Sequence, residues 1–210
     1  MTLTPKLTPE TLKEYLGNID IYLFDQIMKG RFTPDMTILD AGCGSGRNLV
    51  YFLQQGYRVY GVDQSESAIR QVRELASAIA QRAVTEQFRQ ESLETLSFSD
   101  ATFDAVICNA VLHFAQDDAH FEEMVGELWR VLKPGGFLLA RLASQIGLEK
   151  IIDRSKDGRS LLPDGTSRYL VDASQLYRIT EAMGASWLEP LKTVQVHELR
   201  SMTTWVIQKI

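Results

Sequence analysis

The stretch ILDAGCGSGRNLVYFLQQGYRVYGVD, running from Ile38 to Asp63, decides the fold. Ile38 and Leu39 end a short apolar strand. Gly42, Gly44 and Gly46 allow a tight turn whose backbone can press against a ligand. Asn48 to Gln55 has the pattern of a helix whose N-terminal amides face that ligand. Val59 to Val62 is the next strand, and Asp63 at its end is placed to accept two hydrogen bonds from a ribose diol. Strand, glycine turn, helix, strand and acid together predict a nucleoside-binding βαβ unit.

The glycine spacing discriminates between cofactors. A dinucleotide fingerprint, G-x-G-x-x-G counted from Gly42, needs a third glycine where Arg47 stands. The pattern here is G-x-G-x-G, with Asp40 just before it. An acid there suits an ammonium group, which the methionine end of S-adenosylmethionine (SAM) carries and NAD lacks. The competing readings are an incidental glycine-rich turn and a dinucleotide site with a bent fingerprint.

These residues resemble the class I SAM-dependent methyltransferases, and the resemblance covers most of the chain. Asp40 to Gly46 is similar to the family's first motif, and Asp63 to its acid after strand two. Glu91-Ser92-Leu93, Phe103 to Asn109 and Leu132 to Phe137 resemble the later landmarks, in order. The runs Gly46-Arg47-Asn48 and Val62-Asp63-Gln64 are locally similar to methyltransferases of the tellurite-resistance type. The resemblance implies an α/β, Rossmann-like, doubly wound sheet of seven mostly parallel strands, the last antiparallel.

Composition sets the outer bounds. The chain has 210 residues, 45% of them hydrophobic, enough for one domain with a real core. No apolar run approaches the ~20 residues of a membrane helix, and MTLTPKLTPE lacks the features of a secretory signal. A cytoplasmic enzyme is therefore expected, with Cys43 and Cys108 as reduced, buried small hydrophobes. A net charge of −5 without a basic stripe argues against nucleic-acid backbone binding. No HxH or HExxH pair occurs among His113, His120 and His197, so no metal site is expected.

Periodicity predicts strands near 36–41, 57–62, 84–90, 103–109 and 135–142, and helices near 46–55, 66–82, 117–132 and 172–184. Two further strands are expected between Leu188 and Ile210, separated near Glu198–Met202. Leu12, Leu16, Ile19, Leu23 and Ile27 recur at helical spacing over 8–29. Residues 1–35 thus read as a helical cover, 36–210 as the SAM-binding part of one domain, and 143–170 as a polar insert. The resemblance implies that cover and insert flank the crevice.

The resemblance also assigns the SAM contacts. Asp40, with the backbone of Gly42, Cys43, Gly44 and Gly46, would hold the methionine end. Asp63 would take the ribose, Gln64 would flank the adenine, and Glu91 would accept from its amino group, with Ser92 and Leu93 amides on the ring. Asn109 and Ala110 would lie beneath the sulfonium. A helix N-cap is the alternative for Asp63, and a solvated loop acid for Glu91. His113 is the one titratable group placed near the moving methyl, either as general base or as a structural contact. Asp117 and Asp118 are read as helix caps. Tyr15, Tyr22, Arg31, Arg141, Arg154, Arg159, Arg168 and Tyr169 are candidates for the acceptor side, where arginines would suit a carboxylate or phosphate.

The expected function is SAM-dependent methylation of a small molecule, with S-adenosylhomocysteine (SAH) as product. A SAM-binding scaffold or sensor without turnover is the alternative. An NAD-dependent oxidoreductase is a third class, against which Arg47 counts. The acceptor atom and the oligomeric state stay open.

Overall fold

The computed structural model describes residues 8–80, 84–152 and 154–210. Five strands, β1 (Thr37–Ala41), β2 (Arg58–Asp63), β3 (Phe88–Gln90), β4 (Phe103–Asn109) and β5 (Leu132–Ala143), run parallel in the order β3-β2-β1-β4-β5. The near-continuous apolar strands fit a sheet covered on both faces. One face packs against α2 (Ile21–Met28), α3 (Val50–Gln54) and α4 (Glu66–Ala80), through Leu23, Phe52, Ile69 and Val72 meeting Ile38, Ile107 and Leu139. The other packs against α5 (Asp118–Val131) and α6 (Ala173–Ala182), through Phe121, Leu128, Leu176 and Ile179.

The far edge differs in detail from expectation. The long last strand, β10 (Arg200–Lys209), is antiparallel to β5, as the resemblance implies. Its outer side pairs with two short strands, β8 (Ala185–Trp187) and β9 (Lys192–Val196), so the main sheet has eight strands. The turn between β9 and β10 falls at 197–199, so Met202 already lies in the strand. The strand predicted over 84–90 is pairing-competent only from Phe88, because Thr85–Gln87 form a 3-10 turn.

The N-terminal cover is two helices, α1 (Pro9–Leu16) and α2. Gly17 breaks them at φ +65°, where an added Cβ would stand 2.8 Å from Val50 Cγ2. Asp20 then caps α2, accepting from the Tyr22 amide at 2.9 Å. The first seven residues of the predicted cover, and the predicted end of the helix over 66–82, lie outside the described residues. The insert carries a small ribbon, β6 (Arg159–Leu161) with β7 (Ser167–Tyr169), and its own apolar cluster of Leu148, Ile152, Leu162 and Leu170.

Candidate functional site

Alternation along the strands places a polar tier above the apolar face. Ile38, Ile107 and Leu139 are core, and two residues on stand Asp40, Asn109 and Arg141, with Asp63 ending β2 beside them. All four sit at carboxyl ends of parallel strands, where open α/β sheets bind ligands. A cleft of about 390 Å³ opens there, lined by Gly42, Asp63, Gln64, Glu91, Ser92, Leu93, Asn109 and Ala110. Eight of the sequence-predicted cofactor residues therefore share one wall.

The glycine turn is held from within. The amides of Gly42 and Cys43 both donate to the Val62 carbonyl, at 2.8 and 2.9 Å, and that of Gly46 to the Cys43 carbonyl at 3.0 Å. Gly44 N–H donates to Asp63 Oδ2 at 2.9 Å. These amides are spent on the turn. Gly42 has φ +79°, and a Cβ there would stand 2.2 Å from Val111 Cγ2. Gly46 has φ +89° and meets Val72 Cγ2 at 2.8 Å, so it seats the turn on α4. Cys43 is 4% exposed with its thiol in the core, and burial pushes that thiol far up from its ordinary pKa. Cys43, like Asp40, Gly44 and Gly46, is absent from the cleft wall.

The predicted helix over 46–55 starts later than expected, at Val50. Gly46 cannot be helical at its positive φ, and Asn48 is buried, accepting the Asp20 amide on Oδ1 at 3.0 Å. The 17–20 connection, not a ligand, covers that turn.

Asp63 is a pre-aimed acceptor. Oδ2 takes the Gly44 amide and Oδ1 takes the Ser65 amide, each at 2.9 Å. The capping contact leaves capacity for a ligand, because each carboxylate oxygen can accept more than one hydrogen bond. Asn109 is 6% exposed, and among the described residues neither its Oδ1 nor its Nδ2 has a partner. Asp40 is 1% exposed, with both oxygens likewise unpartnered among the described residues. Burial pushes its carboxyl up to about 7, against the pull of Arg47 and with a further push from Asp63. Buried polar groups left unpaired are costly. Here they fit a polar, cationic ligand end.

Glu91 borders the cleft, but its carboxylate is committed to Ser97, through the backbone amide at 3.0 Å and the hydroxyl. The lining residues that sequence reasoning missed lie beside it. Glu94, Val111, Phe114, Gln116, His120 and Met124 complete the cleft. His120 Nδ1 accepts the Gln116 amide at 3.1 Å, which leaves Nε2–H to donate to Glu94 Oε1 at 2.5 Å. Glu94 is held below the usual carboxylate range by the Ser92 hydroxyl first, against desolvation, with His120 adding to it. The only signal in the sequence was helical position. Asp117 caps α5, accepting from the His120 amide at 2.8 Å, and this puts His120 in the first turn.

A second cavity of about 260 Å³ adjoins the first, and Ala110 lines both. Ala110 has φ +64°, a strained value for a non-glycine residue, of the kind concentrated at binding sites. His113, Arg141 and Arg168 line this cavity, together with Leu162, Asp164, Thr166 and Arg200. His113 Nδ1 accepts the Ala143 amide at 3.3 Å. Burial, then Arg168 and Arg141, press its pKa down to about 4.

The other acceptor-side candidates do structural work. Tyr15 accepts from Gln55 Nε2 at 2.7 Å on the outer surface. Arg31 binds Glu189 and the Leu188 carbonyl, both at 3.1 Å. Tyr169 is fully buried, stacked on Phe121, and donates to Asp118 Oδ1 at 2.5 Å. Arg154 donates to Asp118 at 2.8 Å, and Arg159 to the Ala115 carbonyl at 2.9 Å. Asp118 thus anchors the insert as well as opening α5. Tyr22 reaches the site indirectly, with the Arg141 guanidinium 4.9 Å above its ring.

Comparison with known proteins agrees with this geometry. Residues 39–140 match a family described as a methyltransferase domain. A malonyl-[acyl-carrier protein] O-methyltransferase of Salmonella typhimurium is 25% identical over 73% of this chain and 59% of its own length. The chain spans about half the length of the curated relatives it matches. A Methanosarcina mazei SAM-dependent methyltransferase shares the fold, with TM-score 0.69 at 24% identity, over 88% of this chain and 97% of that one. A Burkholderia thailandensis 1,6-didemethyltoxoflavin N1-methyltransferase, solved with its substrate and SAH, also shares it, with TM-score 0.65 at 18% identity, over 100% and 94% of the two chains. The matched segment runs from β1 into β5 and includes the glycine turn and Asp63, and the fold is that of the solved methyltransferases.

Proposed function

We propose that the chain is a class I SAM-dependent methyltransferase that holds SAM in the cleft at the ends of β1, β2 and β4 and passes its methyl group to a small molecule in the adjoining cavity. The observation that carries the reading is a pre-aimed Asp63 and an unpartnered Asn109 on the wall of one cleft, with the buried, unpartnered carboxyl of Asp40 on β1 between their strands. Asp63 would accept the ribose hydroxyls. Asn109 and the turn carbonyls would receive the methionine ammonium, with the Asp40 carboxylate beneath them supplying countercharge. Gln64, Leu93, Phe114 and Met124 would flank the adenine, and the Ser92 and Leu93 amides would meet its ring nitrogens.

Bound SAM supplies an electrophilic methyl on a sulfonium whose leaving sulfur departs neutral. Little acid–base help is needed, so the protein's work is alignment, which can supply effective molarities on the order of 10⁵–10⁸ M. Ala110, shared by both cavities, marks where donor and acceptor would meet. A small acceptor suits a cavity of about 260 Å³, just under the roughly 300–1,000 Å³ usual for drug-sized ligands. Among the described residues no helix is long and apolar enough to cross a membrane. A cytoplasmic setting fits the two free, buried thiols.

The test is SAH production from SAM, run across thiols, phenols, amines, carboxylates and chalcogen oxyanions. SAH formed with at least one class is expected. Tight SAM binding with no SAH from any class would instead make the chain a SAM-binding scaffold.

A further inference from the structure

We propose that the second cavity is an oxyanion site, and that the methyl acceptor is a small molecule carrying a carboxylate or phosphate on an apolar body. The inference rests on the methyltransferase reading for the word acceptor, but not for the anion chemistry.

Three guanidinium groups, of Arg141, Arg168 and Arg200, line this cavity against one carboxylate, that of Asp164. They reach it from three separate elements: the central sheet, the insert ribbon and the β9–β10 hairpin. Such convergence is not what a solvated surface gives. Asp164 neutralises little of the charge. It lies 3.8 Å from Arg200, and its Oδ1 is taken by the Thr166 amide and hydroxyl at 3.0 and 2.6 Å. The Arg168 guanidinium carbon lies over the Phe114 ring at 4.9 Å, and among the described residues its hydrogen bond is from Nη1 to the Ser167 carbonyl at 2.9 Å. A guanidinium stacked on a ring keeps its N–H edge free for a bidentate acceptor. Arg141 is held by Asp20 at 3.3 Å and by the Tyr22 ring, while its buried Nε has no partner among the described residues.

His113 joins this set as a donor. The Ala143 amide occupies Nδ1, so the neutral ring carries its proton on Nε2, which has no hydrogen-bond partner among the described residues. An imidazole in this tautomer offers an N–H to an anion and has no free lone pair with which to take a proton. The general-base role read from sequence gives way to a positioning role. Leu162, Val196 and Met202 complete the cavity with apolar surface suited to the body of the acceptor.

The probes are benzoate and phenyl phosphate, titrated calorimetrically into the full chain at low salt, with and without saturating SAH. Micromolar-to-millimolar binding of at least one is expected, weakened by added sodium chloride. The stronger of the two identifies carboxylate or phosphate as the natural group. Arg168→Gln and Arg200→Gln should each weaken it at least fivefold, with SAH affinity unchanged within twofold and the melting temperature retained. His113→Gln should weaken it less than His113→Leu, because Gln restores a donor. Absence of binding by both probes, or binding indifferent to both arginine substitutions, would overturn the proposal. Loss of SAH binding with oxyanion binding intact would instead count against the methyltransferase reading.

Discussion

At the residue scale, two buried titratable groups carry opposite signs. Asp40, raised to about 7 mainly by burial, keeps a proton in the native chain that the unfolded chain, with a carboxyl near 3.9, has already released. Its contribution to stability is full below about pH 4 and is lost as pH rises to about 7. His113, pressed down to about 4 by burial and two arginines, does the reverse. Its contribution is full above about pH 6.5 and is lost as pH falls toward about 4. The windows overlap, so the two largely cancel in the native protein. Removing either should expose the other. Relative to wild type, Asp40→Asn should gain stability as pH rises from 4 to 7, and His113→Gln should gain it as pH falls from 6.5 to 4. Each slope is bounded by about 1.4 kcal/mol per pH unit. Urea titrations at four pH values check the signs, and parallel slopes in both variants would contradict the assignment.

At the scale of elements, the glycine turn is the tightest constraint. Gly46→Ala puts a Cβ within 3.0 Å of both Val72 and Leu75 and forces φ +89° on a residue that resists it. A loss of about 2–3 kcal/mol is expected by chemical denaturation. Gly135→Ala, also at positive φ but with open space around it, should cost about 1 kcal/mol. These elements were legible because each signal was local: β4 falls on Phe103–Asn109 as read, and α5 and α6 lie within a few residues of expectation. The break between α1 and α2 was not. Leu16, Ile19 and Leu23 keep helical spacing straight through the Gly17–Asp20 connection, so the period hides the turn. β8 has three residues and no period to read. Arg200, Asp164 and Thr166 were missed because only tertiary pairing of hairpin, insert and sheet brings them together.

At the scale of the molecule, α2 is tied to the antiparallel edge by a cluster around Glu189. Its carboxylate, 8% exposed, meets Lys29, Arg31 and Lys192 at 2.5, 3.1 and 2.7 Å. Desolvation is outweighed by these cations and Gln26, which hold Glu189 down at about 2. The resulting stability is present above about pH 4.3 and fades as pH falls toward about 2. Glu189→Ala leaves Arg31 without its carboxylate and Lys29 and Lys192 sharing Asp25 alone, and is expected to cost about 2 kcal/mol, read by thermal unfolding at pH 7. Because α2 also carries Asp20, the partner of Arg141, the same variant should weaken oxyanion binding in the second cavity while sparing the SAM cleft.

The cleft itself is the centre of the account, and Asp63 is its most exposed claim. Calorimetric titration of the purified chain with SAM and SAH tests it most directly. Micromolar affinity is expected for both, with a loss of more than tenfold in Asp63→Ala, in line with two charge-assisted hydrogen bonds of about 1.5–3 kcal/mol each. No heat from the wild-type protein, or an Asp63→Ala variant that binds as tightly as wild type, would contradict it.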